Sequence, residues 1–429
     1  MSVPISTSET APSAQRASEK ASGGNLRARA RGGRLKVLGA LVFWTVVVSL
    51  VGLNAWWSWR NFRPLPDRRK IEAIVRSQRF SEAEPALREL VRRSPEDGAA
   101  LMLLGRCLAA QGDLVESARV LDRVPFWWPS KGEALFVAGE EYNQAGWARK
   151  AEIAWKACAA DDPLHPVPEM YYLTAIEALI EIYATQERWE EAREMAWSCL
   201  DRVAPDQRIN VLFMLLRTRV QRVAAEARAP KLRRFVAADP RDIDSRLALA
   251  RVEAALGNAE EAERQLTIAL EQEPSNVEAW RDRLSTLYER GDMKTLSEAV
   301  AKLPKGAVHD GEIWKFRGYA GRSAGDLEDA LNSFQRALEL RPFDEQIYYQ
   351  LALAQRQLGR RAEAEKNLAR YKEIGEARTK ILPAYEAFSN AYSAPSRDPA
   401  QIAEASRRLA EICRTLGWSR LAEAVVRSS

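Results

Sequence analysis

A helical pattern recurs about every 34 residues over most of this chain. Gly257, Gly291, Gly325 and Gly359 lie 34 residues apart, and apolar residues at helical spacing separate them. Self-similarity at such a period indicates small helical units that cannot bury their apolar faces alone and that stack to share one core. The pattern excludes a compact enzyme-like domain for most of the chain.

The clearest copy of the pattern spans Gly311–Pro342. Its marked positions are Trp314, Gly318, Gly325, Asp326, Ala330, Phe334, Ala337 and Pro342. This window resembles the tetratricopeptide repeat, a helix–turn–helix of 34 residues with W, G, Y, A, F, A and P at fixed offsets. Arg317 and Gly321 stand where the family usually has Leu and Tyr.

The resemblance implies an all-α fold over residues 64–429. We predict an α-solenoid of about ten stacked tetratricopeptide-like units, preceded by one transmembrane helix. The predicted units lie near 64–97, 98–131, 132–163, 173–207, 209–240 (a degenerate copy), 243–276, 277–310, 311–344, 345–378 and 403–429.

Small residues and prolines have predicted positions within each unit. Residues that allow close helix approach are Gly105, Gly139, Gly318 and Ala330. Glycines predicted to form the turn inside a unit are Gly112, Gly146, Gly257, Gly291, Gly325 and Gly359. Prolines predicted to follow second helices are Pro95, Pro163, Pro240, Pro274 and Pro342.

The net charge of +5 resides entirely in residues 1–36, which hold seven basic and two acidic groups. The remaining 393 residues are balanced, and five more basic groups cluster just after residue 59. A nucleic-acid footprint would need a basic face on the folded body, which these totals do not indicate. We therefore predict a disordered basic tail at 1–36 and no nucleic-acid partner.

The basic groups flank residues 37–59, a run of 23 residues without charge. About 20 residues in a helix span a bilayer core, and tryptophans such as Trp56 and Trp57 favour the headgroup boundary. We predict a single-pass transmembrane helix here. A cleaved signal peptide is the alternative, although Leu53-Asn54-Ala55 is a poor cleavage site.

The flanking arginines favour a cytoplasmic N-terminus. The expected location is the cell (inner) membrane, with the repeat body in the periplasm or another extracytoplasmic space.

Residue patterns typical of catalysis are sparse. The chain has no phosphate-binding loop and only two histidines, His165 and His309. His309-Asp310 is conceivable as a catalytic pair, but adjacent residues in a loop more often form a solvated turn. We predict no enzyme activity, no cofactor, no metal site and no small-molecule substrate. An enzyme site, if present, would have to form in the irregular segments expected at 164–172 or 379–402.

The four cysteines are Cys107, Cys158, Cys199 and Cys413. None belongs to a C-x-x-C pair, and Cys158 and Cys199 occupy the same offset in neighbouring units. Equivalent sites in stacked helix pairs are expected to lie too far apart for a disulfide. We predict small, buried, unpaired side chains.

A run of three aromatic residues, Phe126-Trp127-Trp128, sits between Pro125 and Pro129. It is either a membrane or partner contact or a segment packed between repeats, and we favour packing.

The resemblance further implies that first helices line a concave surface where ligands bind. The residues that the family offsets place on that surface include Glu278, Glu289, Glu312 and Gln346, and the candidate partner-binding residues are Arg251, Arg281, Tyr288, Lys315, Tyr319, Arg322, Tyr349 and Arg356. Tyr and Arg are typical of binding hot spots, although solvated helix faces also carry charge. The family's carboxylate clamp is not indicated, because Leu247 and Arg251 stand at its positions.

The sequence thus predicts a membrane-anchored scaffold or assembly factor that binds protein or peptide partners on its concave face. The alternative is an envelope-biogenesis regulator that acts on another membrane protein through residues 37–59. An enzyme and a nucleic-acid binder are less favoured.

Overall fold

A computed structural model describes residues 43–57, 65–160, 167–204, 207–220 and 223–428. The contacts between residues divide the chain into two units, Met1–Asp67 and Arg68–Ser429.

Within the described residues the secondary structure is entirely helical, with one short 3₁₀ helix, Lys305–His309. The α-helices are α1 (43–57), α2 (Arg68–Arg76), α3 (Phe80–Arg93), α4 (Gly98–Ala110), α5 (Leu114–Asp122), α6 (Lys131–Gln144), α7 (Ala148–Cys158), α8 (Glu169–Thr185), α9 (Trp189–Leu200), α10 (Arg208–Val220), α11 (Ala225–Ala238), α12 (Ile243–Ala255), α13 (Ala259–Gln272), α14 (Val277–Glu289), α15 (Met293–Val300), α16 (Gly311–Ala324), α17 (Leu327–Leu340), α18 (Glu345–Gln357), α19 (Arg361–Ser393), α20 (Pro399–Thr415) and α21 (Ser419–Arg427).

Antiparallel helix pairs follow one another through the second unit. Pairs such as α12–α13, α14–α15 and α16–α17 pack internally and on their neighbours, which confirms an all-α repeat solenoid. All six predicted turn glycines have a left-handed backbone, with φ between 71° and 90°. An L-residue with a side chain rarely adopts this conformation, so glycine ends the first helix at low cost.

The two helices of a pair approach closely at the predicted glycines Gly318 and Gly139. A Cβ built on Gly318 would lie 2.4 Å from the Phe334 ring, and one on Gly139 would lie 2.3 Å from Trp155 Nε1. Phe334 and Trp155 are essentially inaccessible to solvent. A large side chain on the second helix therefore fills the space left by glycine on the first.

Residues 209–240 depart from the repeat scheme. α10 packs on α9, α19 and α21, whereas α11 packs on α12. Buried contacts link the end of α8 directly to α12, where Gln186 Nε2 donates to Ser245 Oγ at 2.9 Å. The two helices of the degenerate copy thus pack on different neighbouring helices.

The predicted irregular segment 379–402 is also largely helical. α19 continues without a break to Ser393, and Pro383 lies inside it. No turn glycine follows the first part of this helix; Gly375 has a helical backbone and open space around it. The second helix of the predicted unit 345–378 is therefore much longer than a repeat requires.

The long α19 and the two helices after it return to α10. Leu212, Leu215 and Leu216 of α10 share a buried cluster with residues of α19, α20 and α21. Phe213 extends this contact, with its ring 5.6 Å from Phe388 and 6.1 Å from Tyr392 between centroids. The array from α10 to α21 thereby closes into a ring, and we call this contact the closure.

Of the predicted membrane span, residues 37–42 and 58–59 lie outside the described residues, as does the tail 1–36. The described part is α1, whose apolar side chains are exposed, Trp44 by 63% and Leu53 by 65%. No helix in the described part of the chain is both long and apolar enough to cross a bilayer.

The aromatic loop contains one residue packed between repeats and two exposed residues. Trp128 packs into the core, with its ring 2.4 Å from a Cβ built on Gly98. Phe126 and Trp127 are exposed by 60% and 49%, with their rings edge to face at 5.1 Å.

Candidate functional site

A polar cavity of about 1120 Å³ lies inside the closed ring. First helices of the repeats form one side, and the start of α9, the end of α10, the middle of α19 and the α20–α21 turn form the other. Its charged lining residues are six arginines and six carboxylates: Arg193, Arg219, Arg251, Arg281, Arg341, Arg378, Glu187, Glu190, Glu278, Asp282, Glu312 and Asp344.

Arg251 begins a series of ion pairs along the first-helix side. It projects from α12 to α14, where its Nε donates to Asp282 Oδ2 at 2.7 Å and its Nη2 pairs with Glu278. Arg281 pairs with Glu278 at 2.9 Å and reaches the next unit at Asp310, 3.3 Å away. Each arginine therefore joins a first helix to the one after it.

The same arrangement recurs one unit later. Lys315 Nζ lies 3.0 Å from Glu312 Oε1 and 3.9 Å from Asp344 Oδ2. Arg341 contacts the same two carboxylates at 2.6 Å and 3.2 Å. We call these linked contacts, from Arg251 to Asp344, the ion-pair ladder.

The pKa values of two carboxylates in the ladder are shifted in opposite directions. Burial raises the pKa of Glu278, but Arg251 and Arg281 together outweigh burial, so the net pKa lies below its ordinary value. Deeper burial raises the pKa of Asp282 to about 6 even though the same two arginines lower it. Both carboxylates are ionised at neutral pH, and their charge is satisfied within the protein.

The corner of the cavity at the closure differs from the ladder. Arg193 of α9 pairs with Glu190, whose side chain is 88% exposed. The guanidinium of Arg219, on α10, lies 4.7 Å from the Trp418 ring, and no ion pair reaches it in the described part of the chain. We call Arg193, Arg219, Glu190 and Trp418 the basic corner.

Two of the predicted partner-binding residues, Arg251 and Arg281, line the cavity. Their charges are already engaged in the ladder, as is that of Lys315. The other predicted partner-binding residues do not line the cavity.

Tyr288 and Tyr319 stack on each other at 4.2 Å, and Tyr319 is 4% exposed. Burial, followed by the neighbouring Tyr288, raises the pKa of Tyr319. Arg322 donates to Gln350, and the Tyr349 ring lies 5.2 Å from Tyr371. These residues join neighbouring helices.

Arg356 is exposed on α18. Its assignment to a binding surface stays a prediction, like that of the other seven residues.

The repeat offsets did not single out several residues that line the cavity. Arg193, Arg219 and Trp418 lie on α9, on α10 and in the α20–α21 turn, where concave-face offsets give no signal. Phe343 and Gly417 also meet here, with the Phe343 ring 2.3 Å from a Cβ built on Gly417. Only the closure brings these parts of the chain together.

Asp310, the possible partner of His309, serves as a helix cap. Its Oδ1 accepts the backbone N–H groups of Glu312 and Ile313 at 2.8 Å and 3.0 Å. His309 is exposed, and His165 lies outside the described residues. Among the described residues, no group of three or more His, Cys, Asp or Glu side chains is placed to hold a metal ion.

All four cysteines are buried and unpaired, as predicted. Burial raises the pKa of the Cys158 thiol to about 11 and that of Cys413 to about 12.

Comparison with known families identifies the repeat. Residues 71–130 and 247–295 match the family model described as "Tetratricopeptide repeat". Residues 318–359 match a "TPR repeat" model, and residues 345–374 match a further "Tetratricopeptide repeat" model. The chain therefore contains tetratricopeptide repeats. No curated protein matches it.

Solved structures with similar helical repeats share little sequence with this chain. PilF of Pseudomonas aeruginosa is 16% identical, with 52% of this chain and 99% of that chain covered and a TM-score of 0.34. MamA of Desulfovibrio magneticus RS-1 is 15% identical, covers 45% and 96%, and has a TM-score of 0.32. A tetratricopeptide repeat protein of Parabacteroides merdae is 16% identical, covers 60% and 98%, and has a TM-score of 0.30.

Proposed function

We propose that this protein is a membrane-anchored scaffold or assembly factor that holds a segment of a protein partner in the cavity of its closed ring. The observation that carries the proposal is the polar cavity itself. Its volume of about 1120 Å³ exceeds the roughly 300–1,000 Å³ of small-molecule sites, and twelve of the side chains that line it are charged. Such a space suits a polar peptide segment.

The ion-pair ladder supports this proposal by fixing the shape of the cavity. Arg251 and Arg281 each span two first helices, so partly buried charge pairs hold the curvature of the array. Removing one partner of such a pair leaves an uncompensated charge, which is costly. The cavity is therefore preformed, and a partner would not have to order it on binding.

Photo-crosslinking from inside the cavity tests this function. Leu382 lines the cavity and is 40% exposed, so a photoreactive amino acid at this position faces any bound segment. We expect it to capture a defined protein in cells. A Ser285→Trp substitution in the same chain should abolish the adduct, because Ser285 also lines the cavity and the indole would occupy space that the bound segment needs.

Ser297→Trp is the matched control, since Ser297 lies exposed on α15, the second helix of the same pair. It should leave the adduct unchanged. An adduct that survives Ser285→Trp would show that the partner binds elsewhere.

Membrane anchoring is the second part of the proposal. Residues 37–59 carry no charge, and the side chains of α1 within them are exposed and apolar. An exposed apolar surface of this size calls for a lipid or protein environment. We place the protein in the cell (inner) membrane, with the N-terminus in the cytoplasm and the repeat body on the extracytoplasmic side.

Replacement of residues 37–59 by an unrelated apolar span separates anchoring from recognition. We expect the protein to remain in the membrane fraction and to keep its crosslinked partner. Loss of the partner in this variant would favour the alternative, in which the span itself docks another membrane protein. A protease that reaches only the extracytoplasmic face should digest the repeat body.

A further inference from the structure

The basic corner contains two positively charged side chains and one negatively charged side chain. Arg193 and Arg219 both line the cavity, and Glu190 is the only carboxylate of the corner. The Glu190 side chain is 88% exposed, whereas that of Arg193 is 13% exposed. Water therefore screens the one negative charge better than it screens the two positive charges.

The two arginines of the basic corner have N–H groups that can donate hydrogen bonds to a further acceptor. Arg193 Nε is buried without a hydrogen-bond partner, although a buried guanidinium N–H ordinarily donates to one. Arg219 has an aromatic face on one side, 4.7 Å from the Trp418 ring centroid. A guanidinium stacked on a ring still presents its N–H edge for hydrogen bonding.

The remaining arginines of the cavity do not share this feature. Arg251 and Arg281 are engaged in the ladder, Arg341 contacts Glu312 and Asp344, and Arg378 pairs with Glu345. Burial and then the like charge of Arg193 lower the pKa of Arg219 to about 10. Burial and Arg193 thus outweigh the attraction of Glu190, which raises this pKa, and Arg219 stays charged at neutral pH.

From this geometry we propose that Arg193 and Arg219 form a subsite for an acidic side chain, Asp or Glu, within the partner segment. The inference rests on the proposed function, because the segment must enter the cavity to reach the corner. A carboxylate between the two guanidinium groups would accept hydrogen bonds from both. The subsite combines α9 and α10 with the turn that carries Trp418, so it exists only in the closed ring.

A short acidic peptide serves as the probe of this subsite. We would measure binding of fluorescein-labelled hexaglutamate, amidated at its C-terminus, to the full-length protein in detergent by fluorescence anisotropy. Amidation removes the terminal carboxylate, so any binding reports side chains. The protein should bind hexaglutamate and should not bind the corresponding hexaglutamine.

Arg219→Gln should weaken hexaglutamate binding by about tenfold or more, because a partly desolvated charge pair is lost. Arg219→Lys keeps the charge and should recover part of the affinity, which excludes misfolding as the cause. Arg217→Gln is the matched control, since Arg217 is exposed on the same helix and does not line the cavity. It should bind hexaglutamate like the unmodified protein.

Equal affinity of the Arg219→Gln and Arg217→Gln variants would overturn the subsite, as would equal binding of the two peptides. If Ser285→Trp still abolishes the crosslinked partner in that case, the scaffold function stands without this subsite. If Ser285→Trp has no effect on the partner, the proposed function itself fails.

Discussion

At the scale of single residues, the repeat depends on pairs in which a glycine on the first helix faces a large side chain on the second helix. Gly318 on α16 and Phe334 on α17 form such a pair, and Phe334 is fully buried. A methyl group on Gly318 would overlap a ring that has no space to move into. Overpacking of this kind typically costs about 1–3 kcal/mol.

Gly318→Ala is therefore expected to destabilise the protein by about 1–3 kcal/mol, seen as a lower urea midpoint. Gly375→Ala is the matched control, because Gly375 is also helical and a Cβ there meets nothing within 4 Å. That change should raise stability by up to about 1 kcal/mol through helix propensity. Equal shifts for the two variants would contradict the packing argument.

At the scale of helices, the residues that cap α16 and α18 each contact two neighbouring elements. Asp310 caps α16 through two backbone N–H groups, and the same side chain accepts from Arg281 of α14. Asp344 caps α18 and contacts both Lys315 and Arg341. The start of each helix is thereby linked to the unit before it.

Asp310→Ala removes both the cap and the ion pair, and we expect it to cost about 1–2 kcal/mol. Asp310→Asn keeps the capping oxygen and loses only the charge, so its cost should stay below about 1 kcal/mol. Urea unfolding of the two variants measures the difference. If the asparagine variant were as unstable as the alanine variant, the ion pair and not the cap would dominate.

Helices and their turns could be predicted from the sequence because each is encoded locally. The six turn glycines adopt the left-handed backbone, and Gly139 and Gly318 lie where paired helices approach closely, as predicted. The length of α19 could not be predicted in this way, because the 34-residue period predicts a turn and a proline such as Pro383 ordinarily interrupts a helix, whereas α19 continues through both. Packing on α10 and α20 accompanies its continuation to Ser393.

At the scale of the molecule, the closure determines where the candidate site lies. Offsets within a repeat describe contacts between adjacent units, whereas α10 and α19 are more than 140 residues apart. Arg219 and Trp418 meet only through this contact, so the basic corner could not be found from the sequence. Arg251 and Arg281 could be found, because they project from first helices.

Phe213→Ser should loosen the closure, since Phe213 packs on Phe388 and Tyr392 of α19. We expect faster amide hydrogen exchange in α19–α21, with unchanged exchange in α4–α7, because local opening reflects local packing. Phe126→Ser, at an exposed aromatic residue, is the matched control and should change neither region. Unchanged exchange in α19–α21 of the Phe213 variant would show that other contacts hold the closure.

The buried thiols have a consequence for where such an array can operate. Thiolate is the reactive form of cysteine, and pKa values of about 11 and 12 at Cys158 and Cys413 keep that form scarce at neutral pH. Because all four cysteines are buried and free, the folded array draws no stability from disulfide bonds. We therefore expect the folded repeat body to keep its structure in a reducing and in an oxidising compartment alike, because its four thiols are buried.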